Sequence, residues 1–322
     1  MKLFTYQRAK SVDDALQSGG TYLAGGTSLV DLLKLEVLNA DRVVDLGRLD
    51  LRKIEADAKG VKLGALATNS EVANHPEVKQ RWPAISQALL AGASPQLRNA
   101  ATVGGNLLQR TRCAYYRDLA TRCNKRAPGQ GCDAMEGWTR MHAVLGTSDR
   151  CIAAHPSDFC VALAALDAVV HLKGPRGERD LPFGELHLLP GDHPEKEFAL
   201  EPGELITWVF VPDSPAARRS RYVKARDRQS FAFALASCAA GLEIAGGVIR
   251  GARLALGGVG TKPWRVPEAE QSLVGQAPAK ETFAKAAGIA LQGARPRGEN
   301  AFKIELAKRC VVRALLTSSE AA

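Results

Sequence analysis

The stretch from Leu107 to Arg150 has no regular hydrophobic periodicity and is rich in arginine, glycine and cysteine. Three of the seven cysteines, Cys113, Cys123 and Cys132, lie in this stretch, and Cys151 follows it directly. A segment of this length without regular structure is uncommon inside a compact domain unless something other than a hydrophobic core orders it. The clustered cysteines therefore indicate a bound metal or metal cluster.

The other three cysteines, Cys160, Cys238 and Cys310, each lie among apolar residues, and we predict that they are core thiols. Residues 1–10 lack the apolar core of a secretory signal, so we expect a soluble chain with no export signal of its own. Cysteines in such a chain are reduced thiols or metal ligands more often than disulfides. Zinc remains an alternative at the clustered cysteines, although the closely spaced cysteine pairs typical of zinc sites are missing.

The formal net charge is +9, and the basic residues are spread thinly along the chain except in one segment. A basic balance is compatible with nucleic acid, a membrane surface or an acidic protein partner. We find no recognition-helix pattern and no aromatic stacking array beside this segment, so we expect no nucleic-acid partner. The basic segment contains Arg110, Arg112, Arg117, Arg122, Lys125 and Arg126.

The longest apolar stretch runs from Phe231 to Ile249, but Glu243 and the Gly246-Gly247 pair interrupt it. A membrane-spanning helix needs about 20 predominantly apolar residues, whereas paired glycines favour a tight turn between strands. We therefore predict two buried strands joined by a turn, and no insertion into a membrane.

A short apolar strand, Thr21 to Ala24, precedes the glycine turn Gly25-Gly26-Thr27-Ser28, and a helical apolar pattern begins at Leu29. Glycines let the backbone approach a ligand closely, and exposed amide groups at the start of a helix can bind an anion. Strand-to-helix turns also use glycine for steric reasons alone. This first glycine turn is by itself only a weak indication of phosphate binding.

A second glycine turn, Gly104-Gly105-Asn106, lies just before the cysteine-rich stretch. Ser157 and Asp158 stand before an apolar helix, where Asp158 is either a helix cap or an acceptor for ligand hydroxyl groups. The sequence contains neither G-x-G-x-x-G nor G-x-x-x-x-G-K-[ST], so Rossmann and P-loop proteins are not indicated.

The region from Gly174 to Pro202 is rich in proline and glycine, and we place a domain boundary there, between residues 1–175 and residues 200–318. Beyond the boundary, strands are predicted at 205–211, 231–244 and 248–258, and helices at 280–291 and 302–316. Runs of strands followed by runs of helices indicate an α+β domain.

Five short motifs occur in sequence order, at residues 24–29 (AGGTSL), 102–106 (TVGGN), 156–158 (PSD), 202–206 (PGELI) and 256–259 (LGGV). In this order and spacing they resemble the FAD-binding subunits of xanthine dehydrogenase-like molybdenum hydroxylases, and the resemblance covers nearly the whole chain. Residues 109–113, 123–126 and 151–158 are most similar to the flavin subunits of bacterial periplasmic aldehyde oxidoreductases.

This resemblance implies an α+β fold. An FAD-binding domain of the vanillyl-alcohol-oxidase-like type, with two subdomains, would precede a smaller domain like the carboxyl-terminal domain of the carbon monoxide dehydrogenase flavoprotein. Carried over by position, the first glycine turn would wrap the FAD pyrophosphate, the second turn with Asp158 would hold the ribityl and phosphate side, and Leu205, Ile206 and Lys224 would lie near the isoalloxazine ring. His155 would position the neighbouring segment rather than act chemically. The residues implied at the FAD are Leu23, Ala24, Gly25, Gly26, Thr27, Ser28, Leu29, Ala101, Thr102, Gly104, Gly105, Asn106, Gln109, His155, Ser157, Asp158, Leu205, Ile206 and Lys224.

The cysteine-rich stretch is similar to the inserts that hold a [4Fe–4S] cluster in the aldehyde oxidoreductase and 4-hydroxybenzoyl-CoA reductase branches of the family. The resemblance implies an iron–sulfur insert at about residues 107–151, with Cys113, Cys123, Cys132 and Cys151 as ligands. Four thiolates satisfy such a cluster. The surrounding arginine and lysine side chains would offset its negative charge.

The resemblance also implies an oxidoreductase subunit that has no catalytic residue of its own for aldehyde oxidation. Substrate would be oxidised at a molybdenum cofactor in a large partner subunit. Electrons would pass through [2Fe–2S] centres in a small partner subunit to the FAD here, and then to an external acceptor.

The three subunits would form a heterotrimer. It would lie in the periplasm after co-export with a signal-bearing partner, or alternatively in the cytoplasm. A stand-alone FAD oxidase or reductase and a non-enzymatic zinc-binding module are the competing interpretations.

Overall fold

The structure is a computed structural model that describes residues 1–321 of the chain. Its first subdomain alternates strands and helices. The elements are β1 (Thr5–Arg8), α1 (Val12–Ser18), β2 (Thr21–Leu23), α2 (Leu29–Lys34) and β3 (Arg42–Asp45). The strands form a parallel sheet in the order β1–β3–β2. The first glycine turn follows β2 at the carboxyl edge of this sheet, where parallel sheets commonly bind ligands.

A group of short helices follows the hairpin of β4 (Ile54–Ala56) and β5 (Gly60–Gly64). The first of them, α3 (Asn69–Asn74), begins with a capping box in which the Thr68 hydroxyl accepts a hydrogen bond from the Glu71 amide at 3.1 Å. The next helices are α4 (Pro76–Arg81), α5 (Pro83–Ala91), α6 (Pro95–Ala100) and α7 (Val103–Leu107). The second glycine turn is therefore part of the last helix before the cysteine-rich stretch.

The second subdomain is built on an antiparallel sheet whose strands come from distant parts of the chain. Its later elements are α8 (Ala114–Arg117), α9 (Asp158–Ala165), β6 (Val169–Gly174), β7 (Gly177–Pro182), α10 (Phe183–Leu186) and β8 (Leu205–Pro212). The five strands lie in the order β4–β5–β8–β6–β7. One face of this sheet packs on α5 and α9 around the fully buried side chains of Trp82, Ile85 and Phe159.

The domain boundary lies later than the predicted one between residues 175 and 200. β8 pairs with β5 on one side and with β6 on the other, so it is the central strand of the second subdomain. The proline- and glycine-rich region instead contains the β6–β7 hairpin and the loop that leads into β8. Proline and glycine mark the turns of this sheet, and the chain leaves the sheet only after Pro212.

The carboxyl-terminal domain is a four-stranded antiparallel sheet covered by helices. Its elements are α11 (Pro215–Arg218), β9 (Arg221–Ala225), β10 (Ala236–Ala245), β11 (Val248–Gly257), β12 (Trp264–Arg265), α12 (Pro267–Gln271), α13 (Lys280–Ala290) and α14 (Phe302–Ser319), with strand order β12–β11–β10–β9. The predicted hairpin is confirmed, since Gly246 and Gly247 join β10 to β11 with φ of 60° and 73°. Among residues 1–321, no helix has the length and apolar character needed to cross a membrane.

The cysteine-rich insert, residues 107–151, has little regular structure, as predicted. Beyond α8 it contains one 3-10 helix, Asp133–Met135, within the described residues. Its end is fastened to the carboxyl-terminal domain by Lys303, a completely buried residue of α14. The Lys303 ammonium donates to the carbonyl oxygens of His142 at 2.9 Å, Gly258 at 2.6 Å and Met141 at 3.3 Å. Burial lowers the pKa of Lys303 to about 7.

Replacing Lys303 tests whether its hydrogen bonds to these carbonyl groups stabilise the protein. We expect Lys303→Met to lower the free energy of unfolding by about 3 kcal/mol, because buried carbonyl groups lose their donor. Urea-induced unfolding measures the change. Lys308→Met, on the same helix, is the matched control. Equal stability of the two variants would contradict a role for Lys303 in holding the insert.

Candidate functional site

Two cavities meet at the two glycine turns. One, which we call the Tyr22 cavity, has a volume of about 210 Å³ and is lined by residues of the first subdomain, of both glycine turns and of β8. The other, the Lys224 cavity, has a volume of about 400 Å³ and reaches the carboxyl-terminal domain. Both are lined by Thr27, Ser28 and Gly105, which therefore mark the passage between them.

The first glycine turn has the backbone that close packing and anion binding require. A Cβ atom on Gly25 would lie 1.8 Å from the carbonyl oxygen of Ala100, and Gly26 has a φ of +74° that favours glycine. Within residues 1–321, the amide groups of Thr27, Ser28 and Leu29 have no hydrogen-bond acceptor. These three amides line the passage or adjoin it, and they can bind a diphosphate group there.

The second glycine turn contributes space rather than free amide groups. Thr102 caps α7 by accepting a hydrogen bond from the Gly105 amide at 3.3 Å, and the Gly104 amide donates to Ala65 at 2.8 Å. A Cβ atom on Gly105 would meet only the Thr102 hydroxyl, at 3.0 Å, and otherwise open space. Glycine at this position therefore keeps the passage wide.

Asp158 forms a buried polar cluster in the Lys224 cavity. Its carboxylate accepts hydrogen bonds from the Lys224 ammonium at 2.7 Å and from the Tyr222 hydroxyl at 2.6 Å. Helix α9 is capped by Ser157 instead, whose hydroxyl accepts from the Cys160 amide at 3.0 Å and donates to Asn106 at 2.6 Å. Because the capping function falls to Ser157, the carboxylate of Asp158 is available to fix Lys224 at the cavity wall.

The ion pair in this cavity makes Lys224 a sensitive position. We expect Lys224→Met to lower the free energy of unfolding by about 3 kcal/mol, because the Asp158 carboxylate stays buried without a counter-charge. Combining it with Asp158→Asn removes that unpaired charge, so the double variant should unfold less readily than Lys224→Met alone. Urea titrations of the three proteins provide the test, and equal losses in the single and double variants would contradict it.

The structure distributes the expected FAD residues over both cavities. Leu205 and Ile206 line the Tyr22 cavity, whereas Lys224 lines the Lys224 cavity. These three residues therefore line two different cavities, and their expected position near the isoalloxazine ring stays a prediction. Among the described residues, Leu23 and His155 line neither cavity. The remaining expected residues that line at least one of the two are Ala24, Gly25, Gly26, Thr27, Ser28, Leu29, Ala101, Thr102, Gly104, Gly105, Asn106, Gln109, Ser157 and Asp158.

Several lining residues carry no sequence signal that we recognised. Asn69 lines the Lys224 cavity, and its side-chain oxygen is buried without a partner in the described part of the chain. Phe231 and Phe233 belong to a stretch that we predicted as strand, but β10 begins only at Ala236 and leaves both rings at the cavity. Tyr222 is identified as part of the site only by the hydrogen bond that its hydroxyl donates to the Asp158 carboxylate. No residue spacing could have predicted that contact, because the two side chains are separated by 64 positions.

The four clustered cysteines are brought together by the fold of the insert. Cys123 and Cys132 form a backbone bridge, Cys123 and Cys151 are buried, and Cys113 and Cys132 are half-buried. Burial raises the pKa of the Cys113 thiol to about 12, and the charge of its neighbours Cys123 and Cys151 adds to the effect. The four thiols are therefore close enough to influence one another electrostatically.

The spacing of these thiols argues against a single zinc ion. Tetrahedral Zn–S bonds of about 2.3 Å place sulfur atoms roughly 3.8 Å apart. Within residues 1–321, the only three ligand-type side chains with donor atoms all within 4.8 Å of one another are His155, Cys160 and His187. Within the same residues, no three of the four clustered cysteines have sulfur atoms all within 4.8 Å of one another, so their spacing is wider than in a tetrahedral zinc site.

Basic residues of the insert are held in place by acidic ones. Arg112 and Arg117 both donate to Asp31, at 3.0 and 2.7 Å, and Lys125 pairs with Glu197 at 2.9 Å. Burial is the largest influence on Lys125 and lowers its pKa, whereas nearby Cys151 acts in the opposite direction. A cationic group therefore lies among the thiols, where it can offset negative charge.

Comparison with known proteins defines the class. Residues 2–214 match the family model described as the FAD binding domain in molybdopterin dehydrogenase, and residues 221–318 match that of the CO dehydrogenase flavoprotein C-terminal domain. The expected fold class is thereby confirmed. The two family models divide the chain after β8, in agreement with the sheet order.

Similar proteins cover almost the whole chain. The aldehyde oxidoreductase FAD-binding subunit PaoB of Escherichia coli is 46% identical over 98% of both chains. The carbon monoxide dehydrogenase medium chain of Hydrogenophaga pseudoflava is 26% identical over 97% of this chain and 96% of its own length. Among solved structures, a chain of reconstituted CO dehydrogenase from Oligotropha carboxidovorans superposes with a TM-score of 0.78 at 25% identity, covering 100% of this chain and 99% of that one.

The fold and its paired cavities are those of a dinucleotide-binding flavoprotein. The chain belongs to the FAD-binding subunits of the molybdenum hydroxylase family, and it is an oxidoreductase subunit. FAD fits the geometry of the site, because a diphosphate at the free amides of the first glycine turn leaves one cavity on either side for the two ends of the dinucleotide.

Proposed function

We propose that this chain is the FAD- and [4Fe–4S]-containing electron-transfer subunit of a molybdenum-dependent aldehyde oxidoreductase. The observation that carries the proposal is the 46% identity, over 98% of both chains, to a protein named as an aldehyde oxidoreductase FAD-binding subunit. Its partners are a large molybdopterin-binding subunit and a small [2Fe–2S] subunit in a heterotrimer. Relatives that are named as medium chains support a complex of this kind.

In this proposal the isoalloxazine ring lies in the Lys224 cavity and the adenosine in the Tyr22 cavity. The larger cavity carries Lys224 and Arg112, whose positive charges suit the polar edge of the ring. The smaller one is lined by apolar side chains such as Leu46, Leu66 and Ile206, which suit adenine. The pyrophosphate then lies against the free amides of the first glycine turn. Leu205 and Ile206 would contact the adenosine end.

The proposed [4Fe–4S] ligands are Cys113, Cys123, Cys132 and Cys151. Their spacing, wider than a single ion requires, supports a cluster, and so does Lys125 among them. His142 Nε2 lies 3.2 Å from Cys113 Sγ and can donate a hydrogen bond to that sulfur, which raises the reduction potential of a cluster. Arg110 pairs with Glu197, lies over the Tyr116 ring and lines the Tyr22 cavity, so the insert adjoins the FAD site.

When bound, FAD and the cluster supply the redox chemistry, and the residues of this chain position them. Lys224 and Asp158 keep a fixed charge at the ring end, and the glycine turns hold the pyrophosphate. Electrons from aldehyde oxidation in the partner subunits would leave through an external acceptor. No side chain of this subunit is required to act on the aldehyde.

The proposed location is the periplasm, reached by co-export with a partner that carries the signal, and the cytoplasm is the alternative. In this proposal, export depends on a signal carried by the partner. Fractionation of cells with and without the partner's signal would distinguish the two locations. A periplasmic chain in both cases would contradict co-export.

The functional proposal is tested on the co-purified complex. We expect FAD, molybdenum and iron in the complex, the loss of a [4Fe–4S] portion of the iron when the insert cysteines are replaced, and bleaching of the flavin absorbance by an aldehyde under anaerobic conditions. The isolated chain should keep FAD but should not be bleached by the aldehyde. Bleaching of the isolated chain would indicate a stand-alone flavin enzyme, and zinc without iron or flavin would indicate a zinc-binding module.

A further inference from the structure

A third cavity adjoins the proposed ring position, and the insert forms its outer wall. This cavity, which we call the Trp138 chamber, has a volume of about 490 Å³. It shares Arg112, Asp158 and Phe233 with the Lys224 cavity, so the two spaces adjoin each other. Among the described residues, none of either glycine turn lines the chamber, so a diphosphate bound at those turns lies outside it.

We propose that the Trp138 chamber binds a planar aromatic electron acceptor of the quinone class. The inference rests on the proposed function, because a quinone there would receive the electrons released in the partner subunits. Oxidation of an aldehyde by water yields a carboxylic acid, two electrons and two protons, and a quinone that gains these becomes a hydroquinone. The chamber would therefore contain the external acceptor of the electron relay.

The walls of the chamber have the composition that such a ligand requires. Trp138, Phe231 and Phe233 contribute three aromatic rings that are 62%, 56% and 42% exposed. Guanidinium groups lie over the Phe231 and Phe233 rings, whereas no cation of the described residues lies over Trp138. Planar ligands stack on rings of this kind. A cavity of several hundred Å³ that is mainly apolar with a few polar groups is typical of small-molecule sites.

The charge of the chamber favours electron-rich oxygen atoms. Arg112 and Arg117 both line it and share the single carboxylate of Asp31, so one positive charge is left over. The Arg112 guanidinium lies 5.3 Å from the centre of the Phe233 ring, which fixes it beside an aromatic wall. Quinone carbonyl groups, and the negative charge that they gain on reduction, are stabilised by such a cation.

A buried polar atom at the chamber wall is a second, independent indication of a ligand. His142 lines the chamber and is 4% exposed, and its Nδ1 atom has no hydrogen-bond partner among residues 1–321. Buried polar atoms without a partner are rare in folded proteins and call for a ligand or water. The other ring nitrogen of His142 is at Cys113, so the chamber also adjoins the proposed cluster.

The test uses the purified complex and 1,4-naphthoquinone-2-sulfonate as the probe. Calorimetry on the oxidised complex gives its Kd, and turnover with an aldehyde gives the KM for the probe. We expect Trp138→Ala to raise both constants about tenfold, which corresponds to the loss of one aromatic contact. Met141→Glu, at the 37%-exposed side chain beside it, should raise both at least as much because the added charge repels the sulfonate.

Two controls separate this inference from the proposed function. Trp208→Ala changes a tryptophan that stacks on His171 outside the chamber, and should leave both constants unchanged. Ferricyanide turnover, which needs no stacking site, should stay the same in all variants. Unchanged Kd and KM in Trp138→Ala and Met141→Glu would overturn the chamber assignment even if ferricyanide is reduced. A complex that reduces no acceptor with aldehyde would refute the relay, and calorimetry would still decide whether the chamber binds the quinone.

Discussion

Iron should be lost from the complex when Cys123 or Cys132 is replaced by serine, while most of the flavin stays. A serine oxygen is a poor substitute for thiolate at an iron–sulfur cluster. The insert has little regular structure to keep it folded without its ligands. Within the described residues, neither cysteine lines the Tyr22 or the Lys224 cavity, so FAD contacts are preserved. We expect the iron content of the complex to fall by about four atoms, the share of one [4Fe–4S] cluster, while the iron of the partner [2Fe–2S] centres stays. Elemental analysis alongside flavin absorbance measures both.

Cys310→Ser is the matched control, because Cys310 is a buried thiol of the carboxyl-terminal core and lies far along the chain from the insert. Its iron content should equal that of the unaltered protein. Full iron in Cys123→Ser and Cys132→Ser would refute the ligand assignment. Zinc in place of iron in the unaltered protein, lost in both variants, would keep the ligands but replace the cluster.

Gly105→Leu should prevent most of the protein from retaining FAD. The side chain would project into the passage where the Tyr22 and Lys224 cavities meet, since a Cβ atom there has only the Thr102 hydroxyl as a close neighbour. Overfilling a packed space costs about 1–3 kcal/mol, which corresponds to roughly fivefold to 150-fold weaker binding. Flavin released by denaturation and measured by fluorescence should fall below about a tenth of the chain concentration.

Gly184→Leu provides the comparison, because Gly184 is exposed and has nothing near its added Cβ atom. It should retain its flavin. Gly25 is less suitable, since a Cβ atom there would collide with the Ala100 carbonyl oxygen and disturb folding itself. Flavin in Gly105→Leu at the level of Gly184→Leu would mean that the second glycine turn has only a structural role.

Local signals predicted the local structure well. The predicted strand, glycine turn and helix around Gly25 are present. Short apolar runs and turn glycines could be recognised because each signal lies within a few neighbouring residues. The Gly246-Gly247 turn lies where the positive φ values require glycine. The cysteine insert lacks regular structure over most of its length, in agreement with its lack of periodicity.

Features that depend on contacts between distant parts of the chain could not be predicted from the sequence. The apolar pattern of Leu205–Pro212 would be the same if this strand belonged to the second domain or to the sheet of the preceding subdomain. Only its pairing with Gly60–Gly64 shows that it belongs to the preceding subdomain. The same applies to the Lys224 cavity, because Lys224 and Phe233 reach it from the carboxyl-terminal domain. Resemblance supplied the expected FAD residues, but it did not indicate that Leu205 and Lys224 line different cavities.

The anchorage of the insert by Lys303 has a consequence for how the protein is made. The insert is synthesised before the middle of the chain is complete, whereas Lys303 lies in the last helix and leaves the ribosome almost at the end. Amino-terminal segments fold first during synthesis. We therefore expect the insert to complete its fold only after α14 has left the ribosome. The proposed cluster would then be inserted late, and a chain truncated before α14 would take it up poorly.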